Sequence, residues 1–298
     1  MIVGFIGLGT MGAPMAQNLL KGGHRLIVSD TQPAAVARLV ALGATTAASP
    51  KELAASSEVV ITMLPDAPDV ERVALGPDGV VAGLRAGAVY IDMSTIDPTT
   101  TRSVGAAVAA KGAAMIDSPV GKTADAAVAG TLTLMVGGDA SVVARCRPVL
   151  DCMGTDFFHC GGLGAGQTMK LVNNLLATAV SEASIEALVA GTKSGLALET
   201  MMSVLRTTMA WNNALAIALP KRPLAGDFSP GFMMKLAHKD CRLALRMVEE
   251  LGITAPVGRA AFASVDDAMR HGLQDNDVGA LLKLREEAAG VEVRLAPS

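Results

Sequence analysis

The stretch that most restricts the fold is the first fourteen residues, Met1-Ile-Val-Gly-Phe-Ile-Gly-Leu-Gly-Thr-Met-Gly-Ala-Pro14. The apolar run from Ile2 to Ile6 reads as a buried strand. Glycines at positions 7, 9 and 12 interrupt it, and Ala16, Leu19 and Leu20 then take up helical spacing. A strand, a glycine turn and a helix in that order open a βαβ unit. There Gly7 permits the tight turn, Gly9 lets the backbone close on a pyrophosphate, and Gly12 lets the helix pack on the sheet. The amides of Thr10 to Gly12 would meet phosphates at a helix N-terminus, where unpaired N–H groups favour an anion. Gly7, Leu8, Gly9, Thr10, Met11 and Gly12 are thus the expected dinucleotide loop.

A dinucleotide site needs a carboxylate about twenty residues on, at the end of the second strand. Arg25 to Ser29 reads as that strand and ends at Asp30. A carboxylate there accepts from both ribose hydroxyls and repels a 2′-phosphate, and Thr31-Gln32-Pro33 offers no arginine to welcome one. The expected cofactor is therefore NAD. The alternative reading of Asp30 is as a cap for the helix that begins near Pro33.

Strand and helix then alternate. Pro33 to Leu42 is helical, Gly43 to Thr46 returns to the sheet, and Ser49-Pro-Lys-Glu52 opens a helix with a capping box. Val59 to Leu64 is a buried strand closed by Pro65, which places Leu64 and Pro65 at the carboxyl edge beside the cofactor. A short helix from Asp69 to Ala74 follows, and the strand from Ala88 to Met93 delivers Ser94 and Thr95 to the same edge. The helix Pro98 to Ala110, strand Ala114 to Asp117, loop Ser118 to Thr123 and strands Thr131 to Val136 and Asp156 to His159 complete a mostly parallel sheet. From Gly164 on, only helical periods remain: Gln167 to Gly191, Leu198 to Thr207, Asn212 to Ala218, Phe232 to Leu251, Ala255 to His271 and Val278 to Ala288. The expected fold class is α/β: a Rossmann dinucleotide-binding domain over residues 1–163, then an all-helical substrate and oligomerisation domain over 164–298, joined by a long helix.

Composition narrows the partners. With 25 basic and 28 acidic residues the net charge is −3, and no basic patch carries interleaved aromatics, so neither nucleic acid nor a membrane surface is indicated. The four cysteines, Cys146, Cys152, Cys160 and Cys241, lack metal-ligand pairing; no metal is expected, and reduced thiols suit a cytoplasmic chain. Leu171 to Ala190 is apolar but carries Asn173, Asn174, Glu182 and Glu186, and reads as a buried central helix. The four histidines lie in turns or beside charges and form no triad.

A nicotinamide enzyme needs a group to exchange a proton with the oxygen that becomes an alcohol. Lys170 and Asn174 are the candidate pair, since four residues apart on a helix places both on one face, and Gly164-Ala-Gly166 lets that face approach a ligand. Burial or a neighbouring cation such as Lys239 would lower the lysine's proton affinity. The alternative is a solvated surface lysine.

At this point the chain resembles the β-hydroxyacid dehydrogenases, a family that includes 3-hydroxyisobutyrate dehydrogenase and tartronate semialdehyde reductase. The motifs that carry the resemblance are Gly7-Leu-Gly-Thr-Met-Gly12; Asp92-Met-Ser-Thr95 with Pro98; Asp117-Ser-Pro-Val120 with Gly130 to Gly137; Gly164-Ala-Gly166 leading to Lys170 and Asn174; and Lys239-Asp240. The resemblance implies Lys170 as general acid/base, Asn174 as substrate anchor, Ser94 beside nicotinamide and substrate, Lys239 on the cofactor side, and a homodimer or homotetramer.

The departure from the family pattern lies at Gly121-Lys122-Thr123, where most of the family reads Ser-Gly-Gly and cradles a carboxylate with backbone amides. Val120, Gly121, Lys122 and Thr123 are the expected head-group contacts, and a positive side chain there suits a more strongly anionic group. The loop and Phe228 to Asp240 are similar to the 3-sulfolactaldehyde reductases, although Ala177 stands where that subgroup has a serine. The alternative reading of Lys122 is a surface lysine reaching solvent. The expected substrate is a small anionic hydroxy acid or semialdehyde, with 3-sulfolactaldehyde foremost and 3-hydroxyisobutyrate, tartronate or succinate semialdehyde as alternatives. A non-catalytic NAD-binding assembly protein and a methyltransferase that uses the same glycine loop are the rival classes.

Overall fold

The computed structural model describes residues 1–295. The chain forms two compact units, Met1–Lys170 and the residues from Leu171 onward. In the first, nine strands make one sheet: β1 (Ile2–Ile6), β2 (Arg25–Ser29), β3 (Thr45–Thr46), β4 (Val59–Thr62), β5 (Val89–Asp92), β6 (Ala114–Asp117), β7 (Val120–Gly121), β8 (Leu132–Gly137) and β9 (Gly154–Gly161). Their order is β3-β2-β1-β4-β5-β6-β8-β7, with β9 on β8. From β3 to β6 the pairing is parallel. β8 runs antiparallel to β6 and β7, and β9 is parallel to β8.

Period-two patterning explains why helices cover both faces. Val59 and Ile61 enter one core with Val3, Phe5, Val89 and Ile91, whereas Val60 enters the other with Ile6 and Tyr90. Around the sheet lie α1 (Gly12–Lys21), α2 (Pro33–Val40), α3 (Pro50–Ala55), α4 (Ala67–Leu75), α5 (Val80–Gly83), α6 (Pro98–Ala109), α7 (Ala124–Ala129) and α8 (Ala140–Leu150). The capping box holds: the Ser49 hydroxyl accepts from Glu52 N, and Glu52 Oε2 accepts from Ala48 N.

Several elements depart from the sequence reading. The loop expected over Ser118 to Thr123 contains β7, because Val120 and Gly121 pair with Leu134 and Thr133. α7 and α8 fill connections that carried no assignment, and α8 is capped by Asp139, whose carboxylate accepts from Ser141 N and Val142 N. The expected strand Asp156 to His159 extends in both directions.

α9 (Ala165–Lys193) runs from the first unit into the second. The second unit is helical: α10 (Leu198–Leu205), a wide π-helical turn at Ala214–Ala218, α11 (Leu219–Lys221), α12 (Met234–Glu250), α13 (Pro256–Arg270) and α14 (Leu281–Ala289). Its core gathers Ile185, Leu188, Met201, Leu215, Met234, Val265 and Leu281. α9 is the one helix among the described residues that is long and apolar enough to cross a membrane. It is not the buried helix expected: Met169, Val172 and Leu176 form an exposed apolar strip along it.

Candidate active site

The glycine turn is shaped by close approaches. A Cβ on Gly12 would stand 1.9 Å from the Gly7 carbonyl oxygen, so only glycine lets α1 start this near β1. A Cβ on Gly9 would meet nothing within 4 Å, which makes that backbone the open side of the turn. Beside it a cleft is lined by Leu8, Gly9, Thr10, Ala13, Gln17 and Arg38. Asp30 at the end of β2 reaches back to this turn: Oδ2 accepts from Leu8 N at 2.5 Å and Oδ1 from Gln32 N at 2.7 Å. It caps no helix, since Gln32 precedes α2 without a side-chain cap. Each carboxylate oxygen retains a second lone pair that could accept from a ribose hydroxyl. An open glycine backbone at a helix N-terminus and a carboxylate one strand over fit an adenine dinucleotide.

At the ends of β4 and β5 the buried polar groups interlock. Thr62 Oγ1 bonds Asp92 Oδ1 and the Tyr90 hydroxyl, each at 2.8 Å, and Asp92 Oδ1 also accepts from Ser94 N at 3.2 Å. Burial pushes the Asp92 carboxyl up to about 6, against hydrogen bonds from Ser94 and Thr62 that hold it lower. Ser94 differs from its expected place beside a ligand. It has no exposed surface, and its hydroxyl accepts from Leu64 N at 2.9 Å, so here it builds the wall that fixes Leu64. Pro65 next to Leu64 is exposed, and Thr95 is half-buried.

The end of β6 is tied to the start of α9. Asp117 accepts from Gly164 N and from Gln167 N, both at 2.7 Å. Burial raises the Asp117 carboxyl, and these amides oppose the rise. A Cβ on Gly166 would lie 2.2 Å from the Met135 carbonyl oxygen, which explains a glycine in the first turn of this helix. Gln167, unnoticed in the sequence, is fully buried and grips the Ser94 turn, donating to Ser94 O at 2.8 Å and accepting from Ile96 N at 3.1 Å. Lys170 follows one turn later and is only 9% exposed, so it is not a solvated surface lysine.

In the second unit Asn174 is 8% exposed and donates from Nδ2 to Asp240 Oδ2 at 2.5 Å, while its Oδ1 accepts from Asn173 Nδ2 at 2.9 Å. Lys239 Nζ lies 3.1 Å from Asp240 Oδ1.

Lys122 lies in the loop that follows β7. It follows the buried pair Val120 and Gly121, with Thr123 exposed after it, and its backbone sits at φ 76°, the one left-handed non-glycine among the described residues. The side chain, expected either to line a head-group pocket or to reach solvent, is exposed, and its ammonium donates to Asp156 Oδ2 at 2.6 Å and to Thr131 O at 2.7 Å; this pairing holds the Asp156 carboxyl below the usual range.

The glycine turn at the start of α1 and the Asp30 carboxylate at the end of β2 define a Rossmann-type dinucleotide-binding domain. The comparisons with known proteins give the family. Residues 2–162 match the NAD-binding domain of 6-phosphogluconate dehydrogenase, and residues 164–285 match the NAD-binding domain of NADP-dependent 3-hydroxyisobutyrate dehydrogenase. The chain is 40% identical over 293 residues to a 3-sulfolactaldehyde reductase of Escherichia coli (strain K12), covering 98% of each. It is also 40% identical over 291 residues to a 2-(hydroxymethyl)glutarate dehydrogenase of Eubacterium barkeri, covering 98% of this chain and 97% of that one. The structure of Mycobacterium tuberculosis 3-hydroxyisobutyrate dehydrogenase with L-serine superposes with a TM-score of 0.89 at 36% identity, covering 95% of this chain and 98% of that chain. The protein belongs to the β-hydroxyacid dehydrogenase family, and it is an NAD-dependent oxidoreductase that acts on a CH–OH group.

Proposed function

We propose that this dehydrogenase interconverts a short anionic semialdehyde and its β-hydroxy acid, with Lys170 exchanging the proton at the substrate oxygen. The observation that carries the reading is the placement of Lys170 and Asn174 one turn apart on α9, both nearly buried. When bound, NADH supplies the hydride that reduces the carbonyl carbon. The backbone of Gly7 to Gly12 would hold the pyrophosphate and Asp30 the ribose hydroxyls, with Leu64, Pro65 and Thr95 along the cofactor and Lys239 joining them as the family resemblance implies. Lys170 gives its proton to the carbonyl oxygen during reduction and takes it back during oxidation. Asn174 donates to the substrate from its second Nδ2 hydrogen, the first being given to Asp240. The amides of Val120 to Thr123 hold the acidic head, and Ser94 supports the nicotinamide side from behind Leu64.

Among such substrates we favour 3-sulfolactaldehyde, reduced to 2,3-dihydroxypropane-1-sulfonate. The cation in the Gly121-Lys122-Thr123 loop and the similarity to the E. coli 3-sulfolactaldehyde reductase support it. The pairing of Lys122 with Asp156 favours a second reading, a carboxylate semialdehyde such as that of 3-hydroxyisobutyrate, tartronate or succinate, held by the loop amides alone. The same proposal has a second copy of the chain covering the exposed strip of α9, in a homodimer or homotetramer.

The deciding experiment is kcat/KM with NADH for 3-sulfolactaldehyde against methylmalonate semialdehyde. A hundredfold preference for the sulfonate, about 2.7 kcal/mol in the transition state, supports the first reading; a tie or a carboxylate preference selects the second. Lys170→Ala tests the chemistry: turnover should be lost while NADH binding persists, and a variant that keeps most of its rate removes Lys170 from the role.

A further inference from the structure

The register of three strands brings an acid to the Lys122 loop. Gly121 on β7 pairs with Thr133 on β8, and Thr133 pairs with Asp156 on β9. Lys122, one residue beyond Gly121, reaches over β8 to Asp156, and Thr133 Oγ1 lies 3.5 Å from the same carboxylate oxygen. The loop that carries it leaves β6 at Asp117, the residue that anchors the first turn of α9 ahead of Lys170. A lysine in the left-handed region carries backbone strain that a glycine would not. The lysine is thus kept at a strained position, and the charge it brings there is already matched.

We propose that Asp156 is a specificity-determining residue: by pairing with Lys122 across β8 it holds the ammonium in a resting position and thereby weakens selection of sulfonate over carboxylate substrates. The proposal rests on the reading of Lys122 as a head-group contact. Carboxylates, planar and two-oxygened, are satisfied by the amides of Val120 to Thr123. The third oxygen of a sulfonate requires the ammonium, so only sulfonates must draw Lys122 from Asp156. That exchange is easy, since the two side chains are 41% and 48% exposed and such a pair holds by about a fivefold preference at most.

The test is a double-mutant cycle, with kcat/KM measured for 3-sulfolactaldehyde and methylmalonate semialdehyde in wild type, D156N, K122M and the double variant. D156N should raise the sulfonate value about three- to fivefold, mainly through KM, and leave the carboxylate value within about twofold. On the K122M background D156N should change neither. Asp156 is exposed, and unchanged NADH binding will show that the variants are folded. If K122M shifts the ratio of the two substrates and D156N does not, the assignment of Asp156 is wrong and the reading of Lys122 stands. If K122M leaves the ratio unchanged, the head-group reading falls and this proposal with it. Equal gains for both substrates, or a gain that survives K122M, would mean that Asp156 acts as a general repulsive charge, which also overturns it.

Discussion

The side-chain amide of Gln167 clasps the turn after β5, giving a hydrogen bond to the Ser94 carbonyl at 2.8 Å and taking one from the Ile96 amide at 3.1 Å. This sets the depth at which the first turn of α9 meets the sheet edge, and Lys170 is carried on that helix one turn later. Gln167→Leu keeps the volume but leaves a buried carbonyl and a buried N–H unpaired, each worth about 1–3 kcal/mol. We expect kcat to fall at least about tenfold, with the unfolding midpoint lowered by several degrees. Steady-state kinetics beside thermal melts check this. Loss of stability at unchanged kcat would make Gln167 a packing residue only.

Asp30 holds Leu8 N and so has a structural as well as a selective part to play. Asp30→Asn is the informative change, because an amide oxygen can still accept that N–H while the charge that repels a 2′-phosphate is gone. The ratio of kcat/KM for NADPH to that for NADH should rise about tenfold or more. An unchanged ratio would show that discrimination resides elsewhere in the turn.

Asp92 sets a pH dependence of stability. Its carboxyl rises from an ordinary 3.8 to about 6 in the fold. The folded chain therefore holds a proton that the unfolded chain has released between those values. Stability falls as pH rises through this window, and above about 6 the full penalty, about 3 kcal/mol, is present. Asp92→Asn removes the ionisation. The stability difference, variant minus wild type, should grow by about 2.4 kcal/mol between pH 4 and pH 7, whatever its starting value. Denaturant unfolding at both pH values measures it, and parallel pH profiles would show that Asp92 does not titrate in this range.

Much of this fold was legible because its signals are local. Gly7, Gly9 and Gly12 between an apolar run and a helical period can do little else, and Asp30 followed from counting along the chain. β7 was missed because two residues carry no period, and its partner Thr133 is known only once β8 turns back against β6. Asp156 and Gln167 escaped for a related reason: their partners lie 34 residues from Asp156 and 71 and 73 residues from Gln167. Lys122 was singled out as a departure from the family loop, but the direction of its side chain depended on a strand pairing that no spacing reveals.

Within the second unit, Asp240 decides which end of the Asn174 amide meets a ligand. The carboxylate takes one Nδ2 hydrogen at 2.5 Å, Asn173 donates to Oδ1, and the second Nδ2 hydrogen is left to be offered to a substrate acceptor. Lys239, 3.1 Å from the other carboxylate oxygen, compensates a charge that is 97% removed from solvent, as the 3% exposure of Asp240 requires. Asp240→Asn keeps the shape but can present either an oxygen or an amino group to Asn174, and it deprives Lys239 of this counter-charge. A charge-assisted hydrogen bond is worth about 1.5–3 kcal/mol, so kcat/KM for the hydroxy acid should fall about ten- to a hundredfold. Asp240→Ala, which removes the acceptor altogether, should do no better. If Asp240 only supports the fold, both variants will lose thermal stability while kcat/KM below the melting transition stays at the wild-type value. If it orients Asn174, Asn174→Ala and Asp240→Asn will each show the loss, and combining them will cost less than the sum.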